Sequence, residues 1–356
     1  MKKKENPLLL LNKKSTVFIK TYTFESGLWY LAKSLGDYLI SNGFKVIYIP
    51  KSKYIKDGVL FKRNYLKPKN PEDFEREIIL NFTEQKTIED SILPWIVKYN
   101  PEYLISFETL MEKSQWIPKL KNKTGIKIID IPMIEWVSES FLKNKSYRIF
   151  DQVWNLTDVC SDHFKYYDNS HRVSWNFVDN RIFFNKEKSD LGTVKYYHAA
   201  TLNPEHDSKN TNLIISAFDK FSKTADAKLI VSGILSKKNL EIVENNSKIY
   251  HVGEGIDRSK IAEIYQESDC VIAPSTREGL GLSLYEAKAC GCKLITSDYP
   301  PMNEHNDSYL CQVSEVKKSR ELIPFCNIQE QEVLNKILLS YEDIQNERKN
   351  KSRGSL

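Results

Sequence analysis

At 356 residues the chain is long for a single core, and length alone leads us to expect two domains of roughly 150 to 200 residues. Hydrophobic residues make up 41% and aromatics 12%, which supplies material for such cores and excludes a disordered chain. The net charge of +5, from 52 basic against 47 acidic residues, suits anionic partners but lacks the strong basic bias of a nucleic-acid binder.

The longest aliphatic run near the start is Leu8 to Leu11, preceded by Lys2 to Lys4. It falls well short of the ~18 apolar residues of a membrane span, so neither an anchor nor a signal peptide is expected. Strand-like and helix-like patterns then alternate. Ser15 to Lys20 is a β-branched run, Ser26 to Asn42 has helical spacing with Gly43 as its stop, and Phe44 to Pro50 reads as the next strand. Further strands are expected at Glu102 to Phe107, Ile126 to Pro132, Asp151 to Leu156 and His171 to Trp175. Alternation of this kind implies a parallel, doubly wound sheet.

Asn180 to Gly192 is charged and turn-rich, and the domain boundary is placed there. A second alternating series follows. Strands start near Val194, Ala227, Lys248, Asp269 and Cys292, separated by helices at about Asn210 to Lys223, from Lys237, and from Arg258 to Ser268. The expected division is 1–180, 181–345, and a basic tail over 346–356.

The six cysteines, at 160, 270, 290, 292, 311 and 326, leave the first half without a disulfide framework and point to a reduced, cytoplasmic compartment. Cys290 and Cys292 form a C-x-C pair that no second pair completes, so no metal site is expected. The histidines at 163, 171, 198, 206, 251 and 305 show no metal-ligand spacing; His198 is nearest the candidate site described next.

That site is Arg277 to Cys292, "REGLGLSLYEAKACGC", between a strand ending near Pro274 and a helix beginning near Ser283. Ligands of doubly wound folds bind beyond the carboxyl ends of the strands. Gly279 and Gly281 let the backbone approach a ligand closely, and the free N–H groups of the following helix favour an anion such as a diphosphate. Glu278 lies in the loop and Glu286 about one turn into the helix, where carboxylates can accept hydroxyl donors. The competing reading of Glu286 is structural, because Ser283-Leu-Tyr-Glu286 has the form of a capping box.

"PSTREGLGLSLYEAKACGCKLITSD" resembles the E-x7-E signature of retaining glycosyltransferases of family 4. "GEGIDRSKIAEIYQESDCVIAPS", "NTNLIISAF" and "VSWNFVDNRIF" resemble other family segments in the same order. The resemblance covers Val194 to Asp298 well and the first half weakly. It implies the GT-B fold, two Rossmann-like doubly wound α/β domains facing across a cleft. It also implies a nucleotide-diphosphate-sugar donor as substrate, no cofactor and no metal, and retention of configuration by front-face attack in which the leaving phosphate takes the acceptor's proton.

Carried over by position, the resemblance implies that Glu278 binds donor-sugar hydroxyls and Glu286 the ribose. Gly279, Leu280, Gly281, Leu282 and Ser283 would hold sugar and diphosphate, Lys209 would neutralise the diphosphate, and Gly253 to Ile256 would line the base pocket. Ser275 and Thr201 join the donor set; Thr201 stands where the family carries an arginine, a loss for which Arg277 or Lys293 would substitute. In the first domain Gly27 resembles a glycine loop facing the donor, while Glu135 and Trp136, with Glu108 a weaker candidate, are read as acceptor-side contacts, Glu135 as catalytic.

Three functions stay open from sequence. The leading one is a nucleotide-sugar transferase acting on a hydroxyl acceptor such as a glycan or lipid-linked saccharide, soluble or peripheral to a membrane. The others are a phage-type transferase for modified nucleic acid, which the terminal basic runs permit, and a non-catalytic sugar-nucleotide-binding protein.

Overall fold

The computed structural model describes residues 4–12, 15–21, 27–50, 77–79, 88–108, 116–188, 192–201, 203–305 and 309–354. It divides into two compact units, 1–177 with 320–322, and 178–319 with 323–356.

In the N-terminal unit the elements run β1 (Thr16–Thr21), α1 (Gly27–Ser41), β2 (Lys45–Pro50), β3 (Glu77–Ile79), α2 (Ile88–Tyr99), β4 (Tyr103–Phe107), α3 (Trp116–Thr124), β5 (Lys127–Ile131), α4 (Glu139–Lys143), β6 (Gln152–Asn155), α5 (Asp158–His163) and β7 (Ser170–Arg172). The strands pair in parallel in the order β3-β2-β1-β4-β5-β6-β7. Central β1 and β4 are buried almost throughout and largely apolar, as strands covered on both faces are, with Lys20, Thr21 and Ser106 as buried polar members.

The segment Arg320 to Leu322, distant in sequence, belongs to this unit because it pairs with the chain beside α4. Leu322 N–H donates to Val137 O at 2.7 Å and Glu139 N–H to Arg320 O at 3.3 Å. A reading confined to local pattern has no signal for such a return.

The C-terminal unit runs β8 (Val194–Ala199), α6 (Thr211–Ser222), β9 (Ala227–Ser232), α7 (Lys237–Asn245), β10 (Ile249–His251), α8 (Arg258–Glu267), β11 (Cys270–Ala273), α9 (Leu282–Ala289), β12 (Lys293–Ser297), β13 (Tyr309–Cys311), β14 (Val313–Lys317), β15 (Phe325–Ile328) and α10 (Glu330–Gly354). Its parallel sheet has the order β10-β9-β8-β11-β12-β13, and β14 and β15 form a separate antiparallel pair. Val194, Tyr196, Ile214, Phe218, Leu229 and Ile272 are central to its core. Both units are Rossmann-like parallel α/β domains.

The sequence 346–356, expected as a tail, enters α10, which continues to Gly354. Arg348 is tied down rather than free. Its guanidinium donates to Asp269 Oδ2 at 2.7 Å and to Gly192 O at 2.8 Å. Asp269, nearly buried, also accepts from Lys188 Nζ at 3.1 Å and Lys195 N–H at 2.9 Å, so this carboxylate fastens helix, linker and sheet together.

Gly36 sets how closely α1 packs on β2, since a Cβ there would lie 1.7 Å from the hydroxyl of fully buried Tyr48. Alanine normally stabilises a helix interior by ~1 kcal/mol over glycine. Here Gly36→Ala is expected to lower stability by ~1–3 kcal/mol through overpacking, measured by urea unfolding; an unchanged midpoint would refute this account of the contact.

Candidate functional site

In the C-terminal unit the strand order reverses between β8 and β11. Loops leaving the carboxyl ends of these neighbours are the usual place for a ligand in an open parallel sheet. The loop after β8 carries Thr201 and Lys209, and the loop after β11 carries Ser275 to Gly281.

Local chemistry fixes both loops. Asp207 caps α6, its carboxylate accepting from Thr211 N–H and Asn212 N–H, each at 2.8 Å. Asn210 takes a left-handed backbone at φ 57° and donates through its side-chain amide to Pro274 O at 2.6 Å, while Thr276 N–H donates to Ser208 O at 2.8 Å. Lys209 is thereby held against the β11 loop. Its ammonium contacts Glu278 Oε1, which also accepts from the buried Ser275 hydroxyl at 2.7 Å.

Gly279, Leu280 and Gly281 lead from Glu278 into α9, and Gly281 is the N-cap, left-handed at φ 75° and ψ 51°. Leu282 and Ser283 are thus the first helical residues, and their N–H groups have no partner inside the helix. His305 secures this turn, since its Nε2 lies 2.9 Å from Leu280 O and its ring packs edge-on against Tyr285. Sequence reading missed His305 because no spacing links it to the loop it supports.

The geometry corrects the capping-box reading of Glu286. With Gly281 as N-cap, Ser283 is the second helical residue, and the helix start has no side-chain cap. Glu286 instead turns inward, 5% exposed, and pairs with Arg258 at the start of α8, whose guanidinium sits 4.7 Å from the centroid of Phe183. Burial raises the Glu286 carboxyl above the ordinary glutamate range, and Arg258 opposes that shift.

Among the other candidates, Thr201 accepts Ile234 N–H on its carbonyl at 3.3 Å, and Gly253 O accepts Gly233 N–H at 2.7 Å, so the carboxyl ends of β8, β9 and β10 are knitted together. Ile256 is half-buried beyond β10. Arg277 stacks on Phe325 at 3.9 Å from its centroid. Lys293 begins β12, at the opposite end of the sheet, where it pairs with Glu347 at 2.7 Å; it cannot stand in as a diphosphate cation. His198 is wholly buried between Ile272 O at 2.8 Å and Thr211 Oγ1 at 3.0 Å, and burial depresses its imidazole to about 4, so it is a neutral bridge within the core.

In the N-terminal unit Gly27 opens α1, where an added Cβ would meet no atom of the described residues within 4 Å. Glu135 lies in a single 3-10 turn after β5, beside exposed Trp136. Glu108 directly follows β4, nearly buried and left-handed at φ 57°. No described helix is long and apolar enough to cross a membrane, and among the described residues no trio of His, Cys, Asp and Glu is placed to hold a metal ion.

Residues 179–350 match the family model described as glycosyl transferases group 1. That match lies within the span of the C-terminal unit and covers just under half of the chain. N-acetyl-alpha-D-glucosaminyl L-malate synthase of Bacillus anthracis is 29% identical over 161 residues, 40% of this chain and 40% of that protein. The match thus spans well under half of the relative's length. Among solved structures, WaaG, a glycosyltransferase involved in lipopolysaccharide biosynthesis, has a TM-score of 0.59 at 11% identity, covering 95% of this chain and 94% of that one. UDP-GlcNAc 2-epimerase from Methanocaldococcus jannaschii has a TM-score of 0.55 at 12% identity, covering 90% and 91%. At such identities the likeness establishes the GT-B architecture, which hosts both a transferase and an epimerase.

The Arg258–Glu286 pair predicts an asymmetric mutational response. Arg258→Ala strands a buried carboxylate and is expected to cost ~3–5 kcal/mol, whereas Arg258→Met combined with Glu286→Leu recovers most of that loss. Thermal unfolding of the variants checks this; a near-neutral Arg258→Ala would show the pair to be solvated.

Proposed function

We propose that the protein is a retaining glycosyltransferase that moves a sugar from a nucleoside-diphosphate sugar to a hydroxyl acceptor. One observation carries the reading: Lys209, Glu278 and Ser275 converge at the strand-order reversal beside the uncapped N-terminus of α9. A cation next to free helix N–H groups suits a diphosphate, and an adjoining carboxylate suits the hydroxyls of the sugar it carries.

The arrangement also fits the chemistry. Cleavage of the sugar–phosphate bond builds negative charge on the leaving diphosphate, and fixed N–H groups with Lys209 offset it where it develops. A phosphate oxygen of the leaving group accepts the proton of the attacking hydroxyl on the same face, and the glycosidic bond forms there with retained configuration. The Lys209 ammonium contacts Glu278. A bound donor would draw Lys209 to the phosphate and leave Glu278 for hydroxyls.

Glu286 takes a modified role in this reading. Its buried pairing with Arg258 makes it the anchor of the α8–α9 contact, and it reaches ribose hydroxyls only through displacement of the guanidinium. The β10 loop, with Gly253 and Ile256, then faces the base.

A thermal-shift screen of UDP-, GDP-, ADP- and CDP-sugars tests the donor class, because a ligand of the folded state raises its apparent stability. UDP-sugars come first, given the UDP-GlcNAc 2-epimerase among the fold neighbours. With the stabilising donor in hand, Glu278→Gln is expected to reduce turnover by ~100-fold or more while nucleotide affinity changes little, a loss of ~3 kcal/mol of transition-state stabilisation. Full turnover in that variant would remove Glu278 from the mechanism.

A further inference from the structure

Asn210 stands at the N-cap of α6 but does not act as a cap. Its backbone is left-handed, at φ 57° and ψ 34°, and its side chain makes no capping bond. An N-cap residue ordinarily has an extended backbone and accepts from the second or third helical N–H. Here Asp207 does that work, its carboxylate accepting from Thr211 N–H and Asn212 N–H at 2.8 Å each. The Asn210 amide is thereby released from the helix, and it donates at 2.6 Å to the carbonyl of Pro274 in the loop after β11.

That bond is one half of a staple around Lys209. On the other side of the lysine, Ser208 O accepts from Thr276 N–H at 2.8 Å and from the Thr276 hydroxyl at 3.3 Å. Residues 208 and 210 are thus bonded to residues 276 and 274. Between them, the Ser275 hydroxyl and the Lys209 ammonium both contact Glu278 Oε1. The receiving loop is itself fixed, since the Ser297 hydroxyl of β12 donates to Ser275 O at 2.6 Å and Cys326 N–H of β15 donates to Thr276 O at 2.9 Å. Of the residues that take a left-handed backbone readily, Gly, Asn and Asp, Asn alone carries an amide donor.

We propose that Asn210 is a positioning residue for the donor: its amide holds the Lys209 ammonium where a diphosphate meets it, and it sets donor affinity through Lys209 rather than through the stability of α6. The inference rests on the reading of Lys209 as the diphosphate cation. A lysine carries its charge on a flexible stem, and a backbone pinned on both flanks restricts where that charge can reach. A group ordered in advance loses less freedom on binding, so loss of the staple weakens the hold on a diphosphate. Folding is affected less, because glycine accepts φ 57° without steric cost.

Calorimetric titration of the full chain and its variants with UDP, GDP, ADP and CDP tests the proposal. Asn210→Gly keeps the backbone and removes the donor, and it is expected to weaken the nucleotide that the parent binds by ~10-fold with little change in thermal midpoint. Asn210→Asp separates positioning from capping. Aspartate caps a helix as well as asparagine does, but it sets an acceptor against Pro274 O, so it is expected to bind at least as weakly as the glycine variant. Lys209→Ala should weaken binding by itself, and adding Asn210→Gly to it should change affinity by less than ~2-fold, because both substitutions remove one shared interaction. Parent-like affinity in Asn210→Gly or in Asn210→Asp, or additive losses in the double variant, would overturn the proposal. Parent-like binding in Lys209→Ala, or binding of none of the four nucleotides, removes the reading on which it rests and the proposal with it, so the two failures are distinguishable.

Discussion

The reversal of strand order at β8 and β11 is the constraint on which the candidate site depends. Right-handed crossovers leaving neighbouring strands in opposite directions send their helices to opposite faces of the sheet, and the loops between strand and helix are left side by side. Lys209 and Glu278 are 69 residues apart in the chain yet meet at this point. Neither loop supplies a site alone. The β8 loop brings a cation on a capped helix start; the β11 loop brings a carboxylate and a helix whose first N–H groups are unclaimed.

Rigidity around the site comes from a different kind of contact. Glu286 and Arg258 join α9 to α8 in a setting of Phe183 and Tyr265, whose rings meet edge-on, and Tyr197 packs on Tyr265 at 4.9 Å. An ion pair taken out of water gains stability only when its geometry is tightly held. Its value here is positional, because it fixes the direction of the helix whose uncapped tip belongs to the candidate site. His305 does the same for the turn before that helix, through Leu280 O.

Much of this architecture was legible in the sequence because apolar runs of strand length alternate with helical periodicity in both halves. The helix starting at Arg258 and the strands near Val194 and Ala227 were placed within a residue or so. The candidate loop was legible too, since the glycines and acids of Arg277 to Cys292 are local signals. What escaped were features that depend on backbone sign or on distant partners. Gly281 at positive φ moved the helix start and dissolved the Ser283–Glu286 capping box. Arg258, 28 residues upstream, gave no hint that it would claim Glu286. The terminal basic run looked like a tail because its anchor, Asp269, lies 79 residues away from Arg348.

The central claim is that a diphosphate binds at the N-terminus of α9 beside Lys209. Amide hydrogen exchange with and without a nucleoside diphosphate tests it most directly, because the first N–H groups of the helix have no internal partners. The account predicts slower exchange at Leu282 and Ser283 on adding the ligand, and loss of that protection in Lys209→Ala. Unchanged exchange at Leu282 and Ser283 under saturating ligand, with protection appearing elsewhere, would contradict it.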